Sequence, residues 1–326
     1  SQNSHGVVAI AKSDGEIRQD DVERAISAAQ AVASPHNYEV MHVLPQEFIV
    51  DGQRGIKDAV GMTGVRLEVD AHVIQGLISQ NKNLASVIYR CGLDIDDYMF
   101  SIIATSEAIL TKKQKDLGVC LVNIGQSLTT MIVYEDNNVL TTAVLPIGSR
   151  HITTDLAICL KTNVDITEQI KIKYGIEDEK TLDKKEFINL CEFDVNNQDK
   201  VSRKDIKRIT EARVEEIFTM VDKELKKINK SSKLPAGIVL TGGGSKLNGI
   251  VDVAKNVCKL PAELGYVQNI NSVIDKIQDP AFSTAIGLVL VGSKYDDADV
   301  GTRKKKNGSN GFFSKVKGIF GKVIPD

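Results

Sequence analysis

The sequence predicts an α/β fold in which strands run into ligand-facing turns, and two stretches carry that prediction. Ala236 to Leu240 is a short apolar, β-prone run. Thr241 and three consecutive glycines, Gly242, Gly243 and Gly244, follow it, and Leu247, Ile250, Val251 and Ala254 then fall at helical spacing. Strand, glycine turn and helix in that order let backbone lie against a flat or anionic ligand near a helix N-terminus, because glycine adopts positive φ and carries no Cβ. From Val119 to Tyr134 an apolar strand, a turn holding Gly125, Ser127 and Thr129, and a second apolar strand form a hairpin with hydroxyls at its tip. Taken alone, a glycine-rich turn of this kind is also what a tight connection without any ligand looks like.

In chain order, residues 1 to 75 read as a small α+β module. Val7 to Ala11 is predicted as a strand, with a turn at Ser13 to Gly15. Asp20 or Asp21 then caps a helix that buries Val22, Ala25, Ile26, Ala29 and Val32. Glu39 to Asp51 reads as two short strands broken at Pro45, and Val65 to Ile74 alternates like a half-buried strand. Asn83 to Cys91 is a helix with Leu84, Val87 and Ile88 on one face, and Ile95 to Leu110 a strand followed by a helix. After the hairpin, Glu135 to Asn138 turns the chain into a third strand, Val139 to Leu145. Gly148 and Ser149 open a helix with Ile152, Leu156, Ala157 and Leu160, and Thr167 to Gly175 is a short helix with a glycine C-cap. Residues 177 to 200 are polar and loop-rich. Val201 to Ile228 is a long amphipathic helix, and after a short strand near Ala262 and a loop from Asn269 to Pro280 the last helix spans Ser283 to Val291.

The two turns together resemble the second phosphate loop and the adenosine loop of the actin-like ATPases. The likeness narrows at His42 to Phe48 and Gly55 to Leu67, which resemble the inserted subdomain of the FtsA family, bacterial actin homologues that tether the cell-division ring; it continues through Tyr89 to Leu93 and the carboxyl tail. The resemblance implies an actin-like (ribonuclease H-like) ATPase fold with an inserted α+β subdomain, lacking at its N-terminus the first phosphate loop. It implies the inserted subdomain at 1–75 and the remainder of the first actin-like subdomain at 76–117 with 282–296. The second subdomain, with the nucleotide loops, is then 118–160 and 234–281. A small subdomain with the long helix is 161–233, a flexible basic linker 297–310 and a membrane-targeting helix 311–326.

The cofactor implied is ATP with Mg²⁺, held by Gly125, Ser127, Thr129, Gly242, Gly243, Gly244 and the pair Glu168 and Lys171. That pair has the Glu-x-x-Lys spacing that flanks adenosine and ribose in the fold, and equally the spacing of a solvated i, i+3 ion pair. Asn123 stands where an aspartate helps hold the metal or orient water in relatives. An amide is a weaker ligand for a hard cation, so hydrolysis is expected to be slow or absent, and no catalytic residue is assigned. The partners implied are the C-terminal peptide of FtsZ, other copies of the chain in filaments, other divisome proteins and the anionic inner membrane, at the cytoplasmic face of the division septum. Rival readings within the superfold are a kinase or ATPase and a pilus-assembly ATPase-like adaptor.

Composition agrees with a folded body and a separate tail. Hydrophobic content of 42% and charge of 26% are ordinary for a globular protein, and no apolar run reaches the roughly 18 residues of a membrane span. The five cysteines are odd in number and far apart, and four of them, from their apolar surroundings, read as buried reduced thiols. The histidines are too scattered for a metal site, and His42 and Glu47 read as packing residues. From Arg303 to Asp326 the chain carries +6, which leaves −8 for the remainder of a total of −2. An acidic body argues against nucleic acid, and a basic tail argues for an anionic surface. On a helical wheel Phe312, Phe313, Val316, Ile319, Phe320, Val323 and Ile324 fill an arc of about 140°, with Lys315 and its neighbouring lysines at the margins, the pattern of an interfacial helix.

Overall fold

The computed structural model describes residues 1–11, 14–31, 35–176, 187–193, 199–268 and 275–299. The chain forms two compact units. Among the described residues, the first comprises Ser1–Ala104, Asn138–Thr142 and the chain from Gly287 to Asp299; the second comprises Thr105–Asn137 and Ala143–Ile286.

In the first unit, β1 (Gln2–Ala9), α1 (Gln19–Gln30), β2 (Tyr38–Val50), β3 (Gln53–Ile56) and β4 (Arg66–Leu77) make an antiparallel sheet of order β1-β4-β2-β3 with one helix on a face. Gly6 allows the helix to sit close, since a Cβ there would lie 2.3 Å from the Ala25 carbonyl oxygen and 2.6 Å from the Ala29 nitrogen. Ile17, Val22, Ala25 and Ala29 pack with Val43, Phe48, Val50, Leu67, Val69, Ala71 and Val73 in a core made entirely of nearby chain. Asp21 is the third residue of α1 rather than its cap. Its buried carboxylate accepts from the Arg18 and Ala11 backbone nitrogens, and the Arg18 bond is the first cause holding its pKa below the usual range. Val32, expected on this helix, lies outside the described residues.

Pro45 does not divide β2. The strand runs through it, and the pairing with β4 slips between Pro45 and Glu47, so the missing N–H falls at a bulge. His42 does serve packing: its Nε2 accepts from the Phe100 nitrogen at 2.9 Å. The Gln46 amide donates to the Val139 and Leu140 carbonyls, and His72 bridges Asn3 and Thr142, which ties residues 138–142 to this sheet. Helix α2 (Ile78–Arg90) starts directly after β4, five residues earlier than its apolar spacing suggested, and buries none of its side chains. No strand forms at Ile95; residues 93–100 have no regular structure and lead into α3 (Ser101–Ile109).

The second unit is built on a five-stranded sheet. After α4 (Lys112–Leu117) come β5 (Val119–Ile124), β6 (Thr129–Glu135) and β7 (Asn138–Leu145), with Asp136 and Asn137 at φ 52° and 64° making the tight turn. Helices α5 (Ser149–Leu160) and α6 (Val164–Tyr174), a small hairpin of β8 (Phe187–Asn189) and β9 (Lys200–Ser202), and α7 (Arg203–Lys227) follow. Then β10 (Ile238–Thr241), α8 (Ile250–Cys258) and β11 (Ala262–Leu264) complete an order β11-β10-β5-β6-β7, with β10 parallel to both β5 and β11. Its core includes Leu121, Met131, Ile132, Leu156, Ile170, Phe218 and Leu240, all at most 1% exposed. The last helix, α9 (Ser283–Asp299), extends eight residues past the predicted end.

Three of the five cysteines, Cys91, Cys159 and Cys191, are exposed, and only Cys120 and Cys258 are buried. An apolar local sequence does not bury a thiol that falls on the outer side of its element. The linker from residue 300 and the stretch 311–326 lie outside the described residues.

Candidate functional site

Parallel pairing sets Thr241 beside Asn123, so β10 and β5 end at the same level and both glycine turns start from one sheet edge. The Gly125 N–H donates to the Leu128 carbonyl at 2.9 Å and closes a four-residue turn. The first N–H groups of α5 are spent on it: Ser149 donates to the Gly125 carbonyl at 2.9 Å and Arg150 to that of Gln126 at 2.8 Å. What the turn shows to solvent is therefore Gln126, Ser127 and Leu128. Thr129 is fully buried, and its hydroxyl has no hydrogen-bond partner among the described residues.

The three glycines of the second turn do different work. Gly242 has φ +87°, and a Cβ on it would stand 2.2 Å from Asn123 Oδ1 and 2.6 Å from the Ile124 carbonyl; one on Gly244 would meet Ile124 Cγ2 at 2.5 Å. Both are needed so that the turn can lie on the end of β5. Gly243 is exposed, with nothing within 4 Å of its Cβ position, and is the glycine that faces open space.

Helix α6 brings Glu168 and Lys171 to the same place. The Lys171 ammonium is buried and donates to Glu168 Oε2 (2.7 Å), Thr153 Oγ1 (3.0 Å) and the Ser149 carbonyl (3.4 Å), so its three protons are all used inside the protein. Ser149 is the residue whose N–H holds Gly125. The C-terminal end of α6 reaches the other turn, where the Ile176 nitrogen donates to the Asn248 carbonyl at 3.3 Å. The hydroxyl turn, the glycine turn and the ion pair thus share one neighbourhood. Burial is the largest influence on Glu168 and opposes its ionisation. The hydrogen bonds from Lys171 and Thr153, with the lysine charge, outweigh it and hold the carboxyl below its ordinary range.

Of the predicted residues, Gly243, Ser127 and Glu168 present groups outward, while Gly242, Gly244, Thr129 and Lys171 are turned to the protein itself. Thr153, Asn248 and Thr284 belong to the same site and carry no signal in the sequence. The residues present suit a nucleotide: the exposed Gly243 leaves its Cβ position open, the Ser127 hydroxyl can donate to phosphate, and ionised Glu168 can accept from hydroxyl or amine hydrogens. ATP would bring the phosphates that are the chemistry of such a site.

Residues 1–75 match the family described as the SHS2 domain inserted in FtsA, and residues 120–287 match the cell division protein FtsA family itself. The FtsA of Pseudomonas aeruginosa is 37% identical over 292 residues, 90% of this chain and 70% of that one; the FtsA of Borreliella burgdorferi is 38% identical over 323 residues, 98% and 78%. The chain belongs to the FtsA family of cell-division proteins. Solved structures agree on the fold. A PilM–PilN type IV pilus biogenesis complex aligns with a TM-score of 0.58 at 15% identity, covering 89% of this chain and 76% of that one. ADP-bound MreB5 of Spiroplasma citri aligns with a TM-score of 0.54 at 12% identity, covering 70% and 69%. This FtsA-family protein therefore has an actin-like fold, with the SHS2 insertion as its four-stranded module, and a role in cell division.

Proposed function

We propose that the protein is an actin-like adaptor that binds ATP with Mg²⁺, self-associates, and tethers FtsZ to the cytoplasmic face of the inner membrane at the division septum. The observation that supports the nucleotide part is the exposed Gly243, whose Cβ position meets nothing within 4 Å, on a turn that starts from the same sheet edge as the Ser127 turn, with the half-exposed Glu168 carboxylate on the neighbouring helix α6. The bound ADP of the MreB5 structure, in a chain of the same fold, supports it. Slow hydrolysis follows from Asn123, which offers an amide where a metal or water would be held best by a carboxylate.

The FtsZ contact is assigned to the first turns of α7, where Lys204 and Arg208 are exposed and suit an acidic peptide, while Arg203 stacks on the Tyr174 ring at 5.4 Å. The membrane contact rests on the sequence of Gly311 to Ile324. Seven apolar side chains buried at about 1.5–3 kcal/mol each are offset by the entropy of ordering the segment at about 1–2 kcal/mol per residue, so the lysines, at about 1 kcal/mol each on an anionic leaflet, tip the balance. One copy binds weakly, and neighbouring copies in a filament hold firmly.

Co-sedimentation with anionic liposomes, with and without ATP and the FtsZ C-terminal peptide, tests the reading. Wild type should pellet and bring the peptide down with it. Ile319→Glu with Phe320→Glu should stay in solution, and Lys204→Glu with Arg208→Glu should pellet without peptide. Pelleting of the tail variant, or peptide retention by the helix variant, contradicts the corresponding part.

A further inference from the structure

Asn248 is exposed and lies between the glycine turn and α8, directly before Gly249. Among the described residues its side-chain amide makes no hydrogen bond, and the Gly249 N–H finds no acceptor. What ties this turn to the end of α6 is backbone: the Asn248 carbonyl accepts from the Ile176 nitrogen at 3.3 Å. Gly249 has φ +77°, and a Cβ on it would lie 2.6 Å from the Ile176 carbonyl oxygen and 2.9 Å from Ile176 Cβ. The packing of Ile176 therefore demands glycine at this position.

That requirement has a chemical consequence. The backbone nitrogen after an asparagine can attack the side-chain Cγ and close a five-membered ring, and a side chain on that next residue is what ordinarily obstructs the approach. Gly249 carries none, and no partner holds the Asn248 amide away. We propose that Asn248–Gly249 is a self-modifying site, which deamidates without an enzyme and, in its isoaspartate form, releases the turn from the end of α6. Hydroxide takes the Gly249 amide proton, the nitrogen bonds to Asn248 Cγ, the Cγ–Nδ2 bond breaks, and ammonia leaves with a proton from water. Water then opens the cyclic imide. Cleavage between Cγ and the nitrogen gives aspartate; cleavage between the backbone carbonyl carbon and the nitrogen gives isoaspartate. Each event consumes one water and releases one ammonia.

The two products differ in what they do to the joint. Aspartate places a carboxylate just before the N-cap of α8, where the helix dipole favours negative charge. Isoaspartate routes the chain through the side-chain carbons and turns the former Asn248 carbonyl into a free carboxylate. The chain gains a backbone atom, and the Ile176 hydrogen bond at the joint is lost.

The experiment incubates the purified protein in heavy-oxygen water at neutral and at alkaline pH, then digests it with trypsin in ordinary water. The peptide Leu247 to Lys255 holds Asn248 as its one asparagine, so mass spectrometry reads the exchange of amide for labelled acid there without ambiguity. The urea-unfolded chain gives the unconstrained rate, and Asn248→Gln, which would need a six-membered ring, gives the blank. The native rate should lie within about tenfold of the unfolded one and rise in proportion to hydroxide, with isoaspartate the larger product. A native rate further below the unfolded one, or one indifferent to hydroxide, overturns the site. Thermal unfolding tests the release. Asn307 and Asn310 also precede glycines, so Asn248→Gln aged in parallel is the reference for the melt. Wild type enriched in isoaspartate should melt about 2–4 °C below that reference for the loss of one hydrogen bond, and fresh Asn248→Asp should melt with fresh wild type. Aged wild type that melts with the aged reference overturns the release of the turn.

Discussion

The Asn123 side-chain amide donates to the Thr284 hydroxyl at 3.2 Å, and that hydroxyl lies 2.9 Å from the hydroxyl of Thr105. The last polar residue of β5 before the Gly125 turn is thereby tied to the first turn of α9 and to α3. A hydroxyl can both donate and accept, so Asn123→Asp needs only that Thr284 turn its proton toward the new carboxylate. The variant is expected to fold with stability within about 1 kcal/mol of wild type. Its ATP turnover with Mg²⁺, measured as phosphate release, should rise from well below about 1 s⁻¹. A turnover that stays flat or falls would mean the amide is not what limits hydrolysis.

The three glycines of the turn are expected to respond differently to alanine. Gly242→Ala combines positive φ with contacts near 2.2 Å and should cost about 2–4 kcal/mol in urea unfolding. Gly243→Ala meets nothing within 4 Å and should change stability by less than about 1 kcal/mol while weakening nucleotide binding. Equal destabilisation by the two would contradict the assignment of Gly243 to the ligand side.

The ion pair on α6 is predicted to be asymmetric. Glu168→Gln strands a buried ammonium and should cost about 2–3 kcal/mol, discounted from the value for a fully buried pair because Glu168 is half exposed. Lys171→Met leaves a carboxylate that water can reach, and should cost about 1 kcal/mol or less. The folded carboxyl ionises more readily than the unfolded one. Its contribution is therefore complete above about 4.5 and is lost as pH falls below that, a loss that both variants should lack. Reversal of the order of the two variants would show that Lys171 does not depend on Glu168.

The imidazoles of His42 and His72 are pushed down to about 4 by burial. The unfolded chain takes up these protons near 6.5 and the folded chain only near 4. Stability is thus complete above 6.5 and declines as pH falls through this window. NMR of the ring protons should find both side chains neutral at about pH 5.5, and the urea midpoint should fall from pH 7 to pH 5. A midpoint constant over that range would exclude the burial effect.

Where local pattern and tertiary contact agree, the sequence was a good guide: the β5–β6 hairpin, the helix after Ser149 and the strand into Gly242 lie where spacing put them. Pro45 misled because its cost depends on pairing register, and a bulge at Gln46 in its own strand removes the need for its N–H. Ile95 misled because β propensity makes a strand only where a sheet edge is offered, and residues 93–100 meet none. At the site, the glycines announced a turn, but which of them faces outward depends on the end of β5, more than a hundred residues earlier in the chain. Thr153 looked like any helix-interior threonine. Its importance comes from residues 15 and 18 positions later, brought back by packing of α6 against α5.

The core of the four-stranded module draws every residue, from Ile17 to Val73, out of one short stretch of chain, whereas the rest of its unit comes from residues 76–104, from Asn138–Thr142 and from the described residues after Gly287. Synthesis on the ribosome meets these pieces in very different order. The module has its whole core once residue 75 has left the exit tunnel, and can form while most of the polypeptide is unmade. The unit around it cannot close until the chain beyond Gly287 has been translated. A nascent chain thus carries one finished module and a large unsatisfied surface for most of its synthesis, which makes the late part of translation the time when chaperones have most to cover.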